Sequence, residues 1–87
     1  MNAPPNIRFI EELKTAIRDS GMSINAWTGS VGSGKVSART IRAALVGEAK
    51  LTHLVFMYTR EKAIASGFVI HYDAVDFYND EIIYHGL

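Results

Sequence analysis

The chain has 87 residues and no cysteine, which excludes disulfide bonds, thiolate metal ligands and cysteine nucleophiles. Its only two prolines are adjacent, Pro4 and Pro5, and they prevent a helix from forming at that point. No apolar run approaches the roughly 18 residues needed to span a bilayer, and the N-terminus lacks the pattern of a signal peptide. We therefore expect a cytoplasmic single domain with one modest hydrophobic core and no membrane partner.

Basic residues are missing from the last part of the sequence. Residues 63–87 contain four acids and no Lys or Arg, a net charge of −4. Residues 1–62 contain all nine Lys and Arg residues and five acids, a net charge of +4. This division predicts two surfaces with different tasks: a basic one for a polyanion and an acidic one that stays away from it.

Capping residues and apolar spacing predict four helices. They cover residues 7–19 after Asn6, 24–28 after Ser23, 38–46 after Ser37 and 53–66 after Thr52. A glycine follows the first, third and fourth of these helices closely, and glycine commonly ends a helix: Gly21, Gly47 and Gly67. The segment that begins at Gly29 has three glycines in six residues and is predicted to be a loop.

The third predicted helix has an apolar side and a basic side. Ile41, Ala44 and Leu45 fall at i, i+3 and i+4 and form one apolar stripe. Arg39 and Arg42 are three residues apart and share a face away from that stripe. A small helix with projecting arginines suits the major groove of DNA.

The glycine-rich segment imitates a nucleotide-binding motif. Residues 29–35, GSVGSGK, match G-x-x-x-x-G-K, most of a phosphate-binding loop. Val36 stands where Ser or Thr should meet magnesium, no buried strand precedes the segment, and 87 residues are too few for the required parallel sheet. We interpret the segment as a connection between helices, with Lys35 near a phosphate of some polyanion.

No residue spacing indicates a catalytic or metal site. The three histidines, His53, His71 and His85, are too scattered along the sequence to indicate a metal site. His71 and His85 could approach each other across the tail, but two ligands without a third are weak evidence for a metal. No nucleophile is paired with a base. We expect no enzymatic activity, no cofactor and no small-molecule substrate.

The apolar pattern changes in the last residues. In residues 74–85, alternation favours a β-hairpin that turns at positions 79 and 80. That pairing places four apolar side chains on one face: Val75, Phe77, Ile82 and Tyr84. A C-terminal helix is the competing prediction, because the apolar residues at 75, 78 and 82 also fit a helical period.

Two segments resemble the helix-turn-helix domains of the lambda-repressor and Cro-like family. Residues 36–48, VSARTIRAALVGE, with the Lys-Leu-Thr at 50–52, resemble its recognition helices. Residues 21–26, GMSINA, resemble the start of the preceding helix, with Ala26 as the small residue that packs against the recognition helix. The segment of residues 29–35 makes the turn about five residues longer than the short turn of such motifs.

The resemblance implies a mainly α fold of four short helices, with the helix-turn-helix in residues 1–67. Residues 68–87 would add an acidic β-hairpin tail to the same folded unit, completing the core or forming a dimer interface. It further implies a transcriptional regulator, such as a phage or plasmid repressor, that binds double-stranded DNA as a homodimer. The competing function is a small protein-binding inhibitor or adaptor, phage-encoded against a host enzyme, that uses a helical scaffold and an acidic tail.

The resemblance also implies roles for individual residues. Base edges would be contacted by Ser37, Ala38, Arg39 and Arg42, and phosphates by Lys35, Thr40, Lys50 and Thr52. The dimer interface would use Val75, Phe77, Ile82 and Tyr84.

Overall fold

Five helices follow one another in the computed structural model, which describes residues 6–84, with side chains described as far as Ile82. They are α1 (Ile7–Asp19), α2 (Ile24–Val31), α3 (Ala38–Leu45), α4 (His53–Ala65) and α5 (Ala74–Tyr84). The predicted mainly α fold is confirmed. The predicted hairpin is wrong: no strand occurs between residues 6 and 84, and α5 takes its place. Residue 85, the end of that hairpin, lies outside the described chain.

Three of the helices begin at the hydroxyl caps that the sequence predicts. Ser23, Ser37 and Thr52 each accept a hydrogen bond from the N–H three residues further on. Each bond satisfies one of the N–H groups that the first turn of a helix leaves without a partner. These starts depend only on neighbouring residues, and the sequence therefore places them correctly.

Asn6 precedes α1 as predicted, but its side chain does not cap the helix. The side chain is buried, and its Nδ2 donates to the carbonyl oxygen of Leu51 at 3.1 Å. Leu51 belongs to the connection between α3 and α4, so this bond ties the start of α1 to that connection.

Aromatic rings form the centre of the hydrophobic core, to which all five helices contribute. The ring of Phe56 lies edge-on to Phe9, with 4.8 Å between centroids, and stacks on Phe77 at 4.5 Å. Tyr72 completes the cluster, 5.6 Å from Phe9. Each such pair contributes about 0.5–1.5 kcal/mol beyond the burial of its surface.

The first turn of α5 is capped by two carboxylates. Asp76 N–H donates to Asp73 Oδ1, and Asp73 N–H donates to Asp76 Oδ2, both at 3.0 Å. This is the reciprocal arrangement of a capping box, with aspartate in both positions. The bond from Asp76 N–H holds the pKa of the Asp73 carboxyl below its ordinary value.

The helix separates the residues that a hairpin would have placed on one face. Phe77 is buried on Phe56, Val75 is exposed and Ile82 is half-buried. Residues two apart point in nearly opposite directions on a helix but to the same side of a strand. Phe77 thus completes the core, and the side chain of Tyr84 lies outside the described part.

The acidic tail folds back onto α1. Arg8 donates from Nη2 to the carboxylate of Asp80 at 3.2 Å. Glu12 accepts from the N–H groups of His71 and Tyr72, at 2.6 and 2.9 Å. These bonds connect α1 to both the segment before α5 and α5 itself.

The same contacts lower the pKa of Glu12. Burial by itself would raise the pKa of the Glu12 carboxyl. The backbone N–H groups of His71 and Tyr72, together with the His71 ring, outweigh this effect and hold the pKa of Glu12 below its ordinary value.

Candidate nucleic-acid interface

α2 and α3 make the most extensive helix–helix contact in the described chain. α2 continues to Val31, three residues beyond its predicted end, and includes Gly29. Ile24, Trp27 and Val31 stand at i, i+3 and i+7, an apolar spacing that continues past the glycine and could have indicated the longer helix. The connection to α3 therefore shrinks to residues 32–37, closer to the short turn of a helix-turn-helix.

Gly32 allows the end of α2 to touch the beginning of α3. A Cβ atom at Gly32 would lie 2.5 Å from the backbone nitrogen of Ala38 and 2.8 Å from its Cα. No side chain fits at that distance, so the position requires glycine. Residues 33–35, which lengthen the turn, are all exposed.

The exposed part of the turn is held by its own hydrogen bonds. Ser33 N–H donates to the carbonyl oxygen of Val36 at 2.8 Å. Ser33 Oγ accepts from the N–H groups of Lys35 and Val36, at 3.2 and 3.3 Å. These two N–H groups are thereby occupied, and a helix precedes the turn where a phosphate-binding loop requires a strand. This geometry agrees with a connection between helices.

Thr28, rather than Ala26, is the small residue of α2 that is buried against its neighbours. Ala26 is exposed, contrary to the prediction, whereas Thr28 is 0% exposed. The Thr28 hydroxyl donates to the carbonyl oxygen of Ile24 at 2.7 Å and accepts from Arg42 Nη2 at 3.0 Å. Sequence reasoning missed Thr28 because it placed the end of α2 there.

Arg42 consequently does not project as Arg39 does. It is half-buried, its Nη2 is bound to Thr28, and its Nε is buried without a partner among residues 6–84. It lines a shallow cleft beside α2 together with Glu48. Arg42 is therefore not as free as Arg39, contrary to the expectation that both project from one face, and its bond to Thr28 connects α3 to α2.

The outward face of α3 centres on Arg39. Arg39 and Thr40 are exposed, and Ala38 and Ala43 are partly so. The hydroxyls of Ser37 and Thr40 are 2.9 Å apart and share a hydrogen bond, while Ser37 Oγ also caps the helix. Of the four predicted base-contacting residues, Arg39 thus has the long, exposed and unengaged side chain.

Three exposed cations surround α3. Lys35 precedes the helix, Arg39 lies on it and Lys50 follows it. No carboxylate among the described residues lies within 4.0 Å of any of the three. Thr52, the remaining predicted phosphate contact, is exposed, but its hydroxyl caps α4 by accepting from Val55 N–H.

Most cations elsewhere in the described chain have partners within it. Arg8 and Lys14 pair with acids, Arg60 donates to the carbonyl oxygen of Tyr72, and Lys62 lies over the ring of Tyr58. Arg18 is the exception, and sequence reasoning assigned it no role. It lines a cleft beside the N-terminus of α2, an end that carries partial positive charge.

Comparisons of the chain with family models, curated proteins and solved structures gave no match. Between residues 6 and 84, His, Asp and Glu form no group of three or more that could hold a metal ion. None of the helices in that same range is long and apolar enough to cross a membrane.

Proposed function

We propose that this protein is a sequence-specific DNA-binding regulator that inserts α3 into the major groove. The observation that carries the proposal is the group of exposed cations around α3, Lys35, Arg39 and Lys50, which have no carboxylate partner in the described chain. The phosphates of DNA are a polyanion that such a group would neutralise.

The shape of α3 supports the same proposal. An α-helix with its side chains is about 10–12 Å across, which fits the width of the major groove, and α3 is short, with eight residues. Ala38 and Ala43 flank Arg39 and allow the helix to approach base edges closely. Arg39 would bind the O6 and N7 acceptors of guanine, and Lys35 and Lys50 would hold phosphates on either side.

The order of helices and the α2–α3 pair favour the lambda-repressor and Cro-like type of regulator. We propose accordingly that the protein acts in the cytoplasm as a homodimer, as a phage or plasmid repressor does. Its operator would be near-palindromic, with half-sites about 34 Å apart, one turn of DNA.

The decisive experiment selects genomic fragments with the purified protein and measures their affinity by fluorescence anisotropy. Arg39→Ala should cost about 1–3 kcal/mol in binding to the selected site, and Lys50→Ala should reduce the dependence on salt by about one counterion. Lys14→Ala is the matched control, because Lys14 pairs with Glu11 on α1 and should not touch DNA. Unchanged affinity of Arg39→Ala would contradict the assignment of α3.

A protein-binding inhibitor or adaptor is the second candidate. Exposed apolar side chains on α4 and α5, such as Ile64 and Tyr78, favour it. It draws less support from the acidic tail, because Asp80 is engaged by Arg8 within the chain. Absence of DNA binding even at low salt would favour this candidate over the first.

A further inference from the structure

α4 carries an apolar stripe on its outer face that is left exposed by the other elements of residues 6–84. Leu54, Met57 and Ile64 are 53%, 43% and 48% exposed. With Glu61, which is also exposed, they stand at i, i+3, i+7 and i+10. This is the a and d spacing of a heptad, the pattern by which two helices pair.

The middle of the stripe contains a recess of the right shape for a side chain. A cleft of about 190 Å³ is lined by Met57, Arg60, Glu61 and Ile64. Their spacing of i, i+3, i+4 and i+7 is that of the four-residue hole that receives a knob from a facing helix.

We propose that two copies of this chain pair through α4, antiparallel and related by a two-fold axis. In an antiparallel pair, position a faces position d of the other helix. Leu54 then faces Ile64 of the second copy, and Met57 faces Glu61 of the second copy. Residues 54 and 64 lie at equal distances from Thr59 along the helix, and so do residues 57 and 61. A two-fold axis at the level of Thr59 therefore allows both pairings in one register. Met57 of each copy enters the hole of the other, which makes the contact isologous.

The charges near the axis balance between the two copies. Each copy contributes Arg60 and Glu61, so the four side chains carry no net charge. In the proposed register, the two Arg60 residues are offset by about 3 Å along the axis, and each is offset by about 4.5 Å from Glu61 of the other copy, so that attraction between unlike charges opposes the repulsion between the arginines. Arg60 is held beside the stripe by its bond from Nε to the carbonyl oxygen of Tyr72, at 2.7 Å.

The contact is short, and its strength should be correspondingly modest. From Leu54 to Ile64 the stripe measures about 15 Å. A helix pair of this length buries less than the roughly 1,200 Å² of a standard interface, so we expect micromolar rather than nanomolar association. This pairing would form the homodimer of the proposed function, and its biological role rests on that function. The association of two copies is measured without DNA, and a negative result would leave the proposed DNA contacts of α3 untouched.

Engineered thiols test direction and register, because the chain has no cysteine of its own. A mixture of the Leu54→Cys and Ile64→Cys variants should form a disulfide-linked dimer under mild oxidation. Leu54→Cys alone should stay unlinked, since its two thiols would be about 15 Å apart and a disulfide needs Cα atoms within about 7 Å. Val69→Cys, exposed and outside α4, is the control that should not link to Ile64→Cys.

Sedimentation equilibrium supplies the second measurement. Ile64→Lys should weaken the dimer of the whole chain by about tenfold or more while its circular dichroism spectrum stays unchanged, because the side chain is half exposed in one copy. A wild-type protein that remains monomeric at about 1 mM would overturn the proposal. So would efficient linking of Leu54→Cys to itself.

Discussion

Replacement of Gly32 by alanine tests the contact between α2 and α3 directly. The new Cβ would lie 2.5, 2.8 and 2.9 Å from the N, Cα and Cβ atoms of Ala38. Two of these are backbone atoms at the start of α3, which cannot move aside as the end of a flexible side chain can. The two helices must therefore separate or tilt.

We expect Gly32→Ala to lower the free energy of unfolding by about 1–3 kcal/mol, the usual cost of overpacking a tight contact. For a domain of this size each kcal/mol corresponds to about 4–8 °C in the melting temperature. Urea denaturation followed by circular dichroism measures the change. DNA affinity should fall as well, because the tilt of α3 relative to α2 would change.

Two other glycines provide matched controls. A Cβ at Gly34 or Gly29 meets no atom within 4 Å, and neither residue has a positive φ. Gly34→Ala should be neutral or stabilising, and Gly29→Ala should stabilise by about 0.5–1 kcal/mol, because Gly29 lies inside a helix. If Gly32→Ala proved as stable as Gly34→Ala, the close approach of α2 to α3 would be refuted.

The remaining predictions concern the segments packed on α1 and α4. The lowered pKa of Glu12 means that its contribution to stability is complete above its unfolded value of about 4.5 and is lost as the pH falls through the folded value. Glu12→Gln should cost about 1–2 kcal/mol at pH 7, because its hydrogen bonds lose their charged acceptor, and should flatten the fall in stability that begins as the pH drops below about 4.5. An unchanged pH profile would contradict the role of its bonds to His71 and Tyr72. Phe77→Ala should cost about 3–5 kcal/mol in urea denaturation, whereas Val75→Ala should be nearly neutral. Equal losses at the two positions would indicate that they share a buried face, as in the hairpin.

The beginnings of the helices are predictable from the sequence because their causes are local. Ser23, Ser37 and Thr52 each satisfy an N–H group three residues away, and no distant part of the chain is needed to recognise them. The first helix was likewise placed at its observed bounds, Ile7–Asp19, from apolar spacing and its following glycine.

The sequence does not predict the end of α2, and it offers the helix of α5 only as the alternative to a hairpin, because tertiary packing contributes to both. Gly29 predicts the end of the helix, yet burial of Trp27 and half-burial of Val31 offset the roughly 1 kcal/mol that an internal glycine costs. The short apolar run in α5 fits both the two-residue period of a strand and the 3.6-residue period of a helix. The helix is favoured because it allows Phe77 to stack on Phe56, a residue of α4 that lies far from Phe77 in the sequence.

Only part of the candidate site can be predicted from the sequence, for the same reason: tertiary contacts decide the rest. Exposure of Lys35, Arg39 and Lys50 agrees with the charge pattern of the sequence. The position of Arg42 depends on the hydroxyl of Thr28, 14 residues earlier, and no pattern within α3 reveals that bond.

The bonds of α1 have a consequence for the order of events during synthesis. Asn6, Glu12 and Arg8 of the first segment bind Leu51, Tyr72 and Asp80, which follow them by 45, 60 and 72 residues. A nascent chain can therefore pack α1 on α2 early, but these three bonds of α1 form only as the later segments emerge from the ribosome, the last of them with α5. Contacts of such sequence separation slow folding, and the apolar face of α1 is the surface that a chaperone would have to cover in the meantime.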